Sequence, residues 1–411
     1  MGYSRLAFVG ISWMSGFRVL SRIISTIRII ILARIITPAQ FGVFGIASII
    51  LSFLEILTET GINVFLIQEK DKIDRFVNSA WIVSILRGTI LFLIILASSP
   101  LIVTFFKLPD LYRFLFWISL VPLIRGFINP AIVKFQKELQ FNKEFFLRFI
   151  IFLFDSSISV TLVLISHDAI SFVWGLMAGA ILEVILSFVF FRPRPVFKFE
   201  FNIVKTIINH GKWVTAYGIF NYVAQNGDNI IVGKLLGSSP LGIYQMGYNI
   251  STLPISEISD VVNRVVFPVY SKISEEKTRL LNAFKKTTLL VSLPVIALSL
   301  IIFFLPQEFF NLILGPKWVE ITSILKILII YGMLRAITGI SSSLFLALKK
   351  QNFVAGMTFI RFLTLIITIA PLTLSYGIIG ASFSALLSVL LEIPLVVFYI
   401  WKVFKPVSTA K

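Results

Sequence analysis

The chain has 411 residues, of which 57% are hydrophobic and only 14% charged. A soluble domain carries about 25% Asp, Glu, Lys and Arg, and the mean hydropathy of +0.94 lies far on the apolar side. These values exclude a soluble enzyme, a disordered chain and, despite a net charge of +17, a nucleic-acid-binding protein; what remains is a polytopic membrane protein.

A helix needs about 20 apolar residues to cross the hydrocarbon core. Twelve stretches qualify: 11–36, 41–66, 78–106, 112–134, 144–166, 169–191, 211–236, 241–268, 284–305, 321–347, 354–375 and 378–402. The breaks between them carry turn chemistry, among them Thr37-Pro38, Leu108-Pro109-Asp110, Ser166-His167-Asp168, Ser238-Ser239-Pro240, Gly315-Pro316-Lys317 and Lys349-Lys350-Gln351. The first stretch has no small-residue cleavage site and reads as a retained span, not a cleavable signal. Helices pair their own backbone groups in lipid, and alternating barrel strands are not seen, so the fold is expected to be all-α.

Lys and Arg set the orientation. With the N-terminus inside, the cytoplasmic connections hold clusters such as Lys134-Lys137-Lys143, Arg192-Arg194-Lys198 and Lys285-Lys286; the outer ones hold only Arg34, Lys107, Arg113, Lys234 and Lys317. The bias is about four to one, which places both termini in the cytoplasm and accounts for the basic charge as a surface facing anionic lipid. The longest connection, rich in Pro and charge, divides the chain. The expected organisation is an N-terminal six-helix half at 1–192, a cytoplasmic linker at 193–210 and a C-terminal six-helix half at 211–411.

The halves echo each other. Arg34 and Lys234, Gly42 and Gly242, Phe44 and Tyr244, Trp13 and Trp213, and Asn63 and Asn263 all keep one offset, and Arg125 and Arg335 match at a slightly larger one. Six helices per half start both halves on the same side, so the repeats are parallel, with a central cavity expected between them.

A charge at mid-bilayer costs from about 2.5 kcal/mol upward, so charges in the spans need a reason. Arg18, Ser21, Arg22, Ser25 and Arg28 fall within an arc of roughly 120° on the first helix. Ser48, Ser52, Glu55, Glu59 and Asn63 step by three or four on the second. His210, Trp213, Tyr217, Asn221, Gln225 and Asp228 do so on the seventh, and Gln245, Asn249, Thr252, Ser256, Ser259 and Asn263 on the eighth, with Glu257 and Asp260 on an adjoining face. The striped helices are the first two of each half, which points to one hydrated cavity. The alternative is that these charges pair off as structural salt bridges. Arg87, Arg125, Asp155, Glu183, Lys326, Arg335, Arg361 and Glu392 are outlying charges, read as interhelical pairs or snorkelling ends; Arg125 and Arg335 are placed to reach the cavity.

Enzyme chemistry is hard to find. Without Cys there are no disulfides, thiolate metal sites or cysteine nucleophile, and His167 and His210 are too few for a histidine-rich metal site. There is no phosphate-cradling Gly-rich loop with Lys-Ser or Lys-Thr, and Asp168 beside His167 reads as a helix cap. No metal or cofactor is expected.

Several segments resemble a known family: Leu32 to Phe44; Thr60-Gly61-Ile62-Asn63 through Leu66-Ile67-Gln68-Glu69-Lys70-Asp71; Asn229-Ile230-Ile231-Val232-Gly233-Lys234 through Gly242-Ile243-Tyr244; Val266-Phe267-Pro268-Val269-Tyr270-Ser271; and Leu314-Gly315-Pro316-Lys317-Trp318. In order and spacing they resemble the polysaccharide-transport (O-antigen flippase) branch of the multidrug/oligosaccharidyl-lipid/polysaccharide exporter superfamily. Some relatives carry two further helices; the twelve-helix core is expected here. The resemblance implies an inner-membrane flippase that moves undecaprenyl-diphosphate-linked oligosaccharide for surface polysaccharide such as O-antigen, with membrane lipids and polysaccharide polymerase or assembly proteins as partners. Placed on the helices, the candidates are Arg18, Arg22, Arg28, Arg125 and Arg335 for the diphosphate, since a guanidinium fork donates two parallel hydrogen bonds. Ser25, Ser52, Tyr217, Asn221, Gln225, Tyr248, Asn249 and Asn263 are candidates for the polar lining, and Glu55, Glu59, Asp228, Glu257 and Asp260 for ion coupling. Rival readings are a peptidoglycan-precursor flippase, a multidrug/cation antiporter, and a membrane polymerase or ligase; the arginine row argues against the antiporter, and the short outer loops against the enzyme.

Overall fold

The computed structural model describes residues 3–57, 66, 73–198, 200, 222–223 and 225–405, with the side chains of 3–15, 18–19 and 253–265 outside that description. Among the described residues the chain is helical, with no strand. Seven helices are long and apolar enough to cross a membrane, or eight if one bent pair is counted as a span. The chain forms two compact units: Met1–Asn226 with Gly237–Ser239, and Gly227–Leu236 with Pro240–Lys411.

The first unit contains α1 (Tyr3–Ile35), α2 (Pro38–Leu57), α3 (Val77–Phe106), α4 (Leu111–Gly126), α5 (Phe141–Ser166) and α6 (Ile170–Phe190). The α1–α2 break is a capping box with Pro38 at the first helical position. The Thr37 N–H donates to Gln40 Oε1 at 3.1 Å and the Gln40 N–H donates to Thr37 Oγ1 at 3.3 Å. The expected span at 112–134 is not straight: after Gly126 the chain bends by 73° into the short segment Pro130–Lys137. Asn129 fixes the bend. Its side chain accepts the Ala131 N–H and donates to carbonyls that end α6, Phe191 O at 3.5 Å and Pro193 O at 3.1 Å. Asp168 Oδ1 accepts the Ile170 N–H at 3.0 Å, the cap expected from sequence, and the same carboxylate pairs with Arg113 at 2.7 Å.

The second unit contains the helical residues 227–236, α7 (Ser238–Lys272), α8 (Lys277–Phe304), the short α9 (Gln307–Leu314), α10 (Ile321–Ala347) and α11 (Gln351–Phe404). The last is two helices joined at Gly377, whose φ of 59° and ψ of −139° interrupt the ladder where the sequence places the turn between two spans.

Packing follows the logic of lipid. Large apolar side chains such as Leu101, Ile165, Phe304 and Leu374 point outward, while Ser79, Ser99, Ser119, Ser299, Ser341 and Ser384 are buried. Lipid tails are as apolar as Leu, so close approach and hydrogen bonding hold the helices together. At the α3–α4 contact a Cβ on Gly88 would lie 2.4 Å from the Pro122 carbonyl oxygen, so only glycine fits.

Candidate functional site

In the first unit, Arg28 of α1 is held by α5. Its guanidinium donates to Asp155 Oδ2 at 3.2 Å, Ser156 Oγ at 3.4 Å and Ser159 Oγ at 3.1 Å, and lies 5.3 Å from the Phe172 ring of α6. Both charged side chains are only 14% exposed. The close fit depends on α6: a Cβ on Gly175 would strike Ser159 Oγ, and one on Gly179 would lie 3.1 Å from Asp155 Cβ. This arginine, a sequence candidate for the cargo, serves here as a clamp between helices.

Elsewhere in the unit the helices part around a cavity of about 520 Å³. Glu55, Arg87, Arg125, Glu144, Arg148 and Glu183 contribute its charged groups. Arg125 pairs with Glu55 at 3.2 Å, and Arg87 donates to the Glu55 carbonyl at 2.6 Å. Arg148 pairs with Glu144 at 2.7 Å, and Gln136 donates to the same carboxylate. Tyr222 donates to the Ile49 carbonyl at 2.8 Å, with Ser52 and Glu55 beside it. Arg22 and Ser25 are half-buried on α1, and Gln225 is exposed.

In the second unit a polar chain runs through the core. Asp228 is buried; its Oδ2 accepts from Tyr244 Oη at 2.9 Å, and its Oδ1 accepts from the Asn229 N–H at 2.8 Å and Nδ2 at 3.0 Å. Tyr248 packs against Tyr244 and meets Tyr331 hydroxyl to hydroxyl at 3.3 Å. Arg335 donates to Tyr331 Oη at 2.5 Å and Tyr248 Oη at 3.4 Å. Among the described residues no carboxylate lies within ion-pair distance of Arg335, though Asp228 and Glu392 are near enough to act on its charge. Asn249 is half-buried on the same helix as Tyr248. Glu392, buried, is held by Arg361 at 3.4 Å.

The structure thus gathers the sequence candidates into two sites, one per unit: Glu55 with Arg125, and Asp228, Tyr248 and Arg335 in one chain. The candidates Glu59, Tyr217 and Asn221 lie outside the described residues, as do the side chains of Arg18, Glu257, Asp260 and Asn263. Tyr244, Tyr331 and Glu183 were missed as site residues. Tyr331 stands one helical turn from Arg335, and Glu183 continues the four-residue step of Gly175 and Gly179, so both were findable by spacing.

A family model for "Polysaccharide biosynthesis protein" matches residues 31–323. The chain is 26% identical over 361 residues to the teichuronic acid biosynthesis protein TuaB of Bacillus subtilis (84% of this chain, 71% of that one). It is 25% identical over 345 residues to the lipopolysaccharide biosynthesis protein WzxC of Escherichia coli K12 (84% and 70%). It is 27% identical over 384 residues to an uncharacterized membrane protein in the cps region of Klebsiella pneumoniae (92% and 79%). Among solved structures it resembles the lipid II flippase MurJ, with a TM-score of 0.75 at 17% identity over 95% of this chain and 88% of that one. It also resembles an inward-facing multidrug MATE transporter, with a TM-score of 0.70 at 13% identity over 94% and 96%. The chain belongs to the polysaccharide biosynthesis protein family; it is a multi-pass membrane protein whose fold is similar to those of MurJ and the MATE transporter.

Proposed function

We propose that the protein flips an undecaprenyl-diphosphate-linked oligosaccharide across the cytoplasmic membrane for surface polysaccharide synthesis. Two parallel six-helix halves would rock about a cavity between them, with both termini in the cytoplasm. The single observation that favours an anionic cargo is Arg335, a guanidinium deep in a membrane unit and held by neutral tyrosine hydroxyls. Asp228 and Glu392 act on it from beyond ion-pair distance, but its hydrogen bonds go to neutral phenols, so the fixed cation is left able to attract phosphate, and the guanidinium fork suits a diphosphate. Tyr248, Tyr331 and Asn249 offer hydroxyl and amide groups to sugar. Arg125, the counterpart in the first unit, is neutralised by Glu55 and stands behind it.

The names of the relatives agree with such a cargo: teichuronic acid, lipopolysaccharide and, for a Rhizobium meliloti relative, "succinoglycan biosynthesis transport protein". The test is reconstitution of the purified protein in liposomes carrying a fluorescent undecaprenyl-diphosphate oligosaccharide, with an impermeant quencher reporting the leaflet. Protein-dependent movement of the dye between leaflets is expected; a leaflet distribution equal to that of empty liposomes contradicts the reading.

A further inference from the structure

We propose that the second unit carries a binding site for one anionic phospholipid, whose phosphate sits between the ammonium groups of Lys350 and Lys402. Lys350 immediately precedes α11 and Lys402 lies in its last turn. Both nevertheless reach one ring: Lys350 Nζ lies 5.0 Å and Lys402 Nζ 5.7 Å from the centre of Phe353. That ring is held firmly. Tyr399 stacks on it with ring centres 4.1 Å apart and planes 7° apart, and Phe345 of α10 meets it edge-on at 5.5 Å. Gly356 makes the stack possible, since a Cβ there would lie 2.8 Å from Tyr399 Oη. Phe353 belongs to a buried cluster with Leu344, Phe345, Met357 and Val396. Tyr399 takes one face of the ring, so the two ammonium groups share what is left.

Two like charges brought to one ring repel each other, and at an exposed site the ring attracts each only weakly. The usual remedy is a carboxylate. Among the described residues none lies within ion-pair distance of Lys349, Lys350, Lys402 or Lys405. Lys349, Lys402 and Lys405 are exposed and Lys350 is half-buried, so the charge is open to an anion from outside. The basic bias of the loops accounts for lysines at this end of the unit. It does not account for two of them converging on one buried ring.

The neighbouring groups select the anion. Trp401 and Phe398 are 54% and 49% exposed, and Lys405 Nζ lies 4.6 Å from the centre of the Trp401 ring. Exposed Trp beside Lys at the end of a membrane helix marks the depth of the lipid headgroups. The anion abundant at that depth is a lipid phosphate, which an ammonium binds as a point charge. The exposed side chains of Phe359, Val397 and Phe398 offer an apolar wall to its chains. The orientation read from Lys and Arg makes this the inner leaflet; the site does not depend on the flippase reading.

The test uses the full chain purified in detergent and native mass spectrometry, with phosphatidylglycerol or phosphatidylcholine of the same chain length added. The parent is expected to hold one phosphatidylglycerol about tenfold more tightly than phosphatidylcholine. K350Q with K402Q should bring the two lipids to within about twofold of each other, and K350R with K402R, which keeps both charges, should retain most of the preference. K285Q with K286Q, which removes as much charge from exposed positions on α8, should leave the preference unchanged. The unfolding midpoint of the parent should rise with phosphatidylglycerol, and that of K350Q with K402Q should not. Equal affinity of the parent for the two lipids overturns the proposal. An equal loss of preference in both glutamine pairs overturns it too, since the basic surface would then be diffuse. Binding of inorganic phosphate at least as tight as that of phosphatidylglycerol assigns the site to a soluble anion and overturns it as well.

Discussion

Arg125 and Arg335 occupy corresponding places in the two halves of the sequence, yet their surroundings differ in charge. Arg125 meets the carboxylate of Glu55, and Arg335 meets two phenols. Attraction for an anion is therefore expected to reside mainly in the second unit. Arg335→Gln should slow transport about tenfold or more, and Arg335→Lys should restore part of it, since an ammonium keeps the charge and loses the fork; flipping in liposomes reads both. Arg125→Gln should have the smaller effect. Arg28 is expected to behave otherwise. Removing its charge leaves Asp155 buried and alone, so Arg28→Met should cost about 3–5 kcal/mol of stability, and Arg28→Met with Asp155→Leu should recover most of it. Thermal unfolding in detergent measures both, and a single variant as stable as the parent would contradict the clamp. Helical spacing in the sequence put Arg28 on a polar stripe. It could not show which side of that stripe meets another helix, because Asp155 is 127 residues away.

At the scale of helices, the ends were more legible than the bends. Thr37-Pro38 and Gln40 announce a capped start, and Gly377 falls between two expected spans, because local chemistry decides both. The 73° bend after Gly126 was not legible. It depends on Asn129 reaching the carbonyls of Phe191 and Pro193, a contact with no local signature. Two substitutions test the packing. Gly88→Ala would drive a methyl into the Pro122 carbonyl and should cost about 1–3 kcal/mol. Thr37→Ala removes one half of a capping box and should cost about 1 kcal/mol. Unfolding midpoints ordered the other way would mean that α3 and α4 are not pressed together at Gly88.

At the scale of the molecule, composition alone identified a helical membrane protein, and segment order identified its family. A cysteine-free chain is also suited to a topology test. Single cysteines at 198 and 350 should react with an impermeant maleimide only from the cytoplasmic side, and cysteines at 107 and 317 only from outside. What composition cannot supply is the cargo, since phosphate and sugar are recognised by the placement of a few groups. The central claim is that a lipid-linked oligosaccharide crosses the membrane through this chain. The most direct measurement depletes the protein in its host, extracts the lipid-linked sugars and assigns them to a leaflet by impermeant labelling. The account predicts an undecaprenyl-diphosphate oligosaccharide accumulating on the inner leaflet; accumulation on the outer leaflet, or no accumulation, would contradict it.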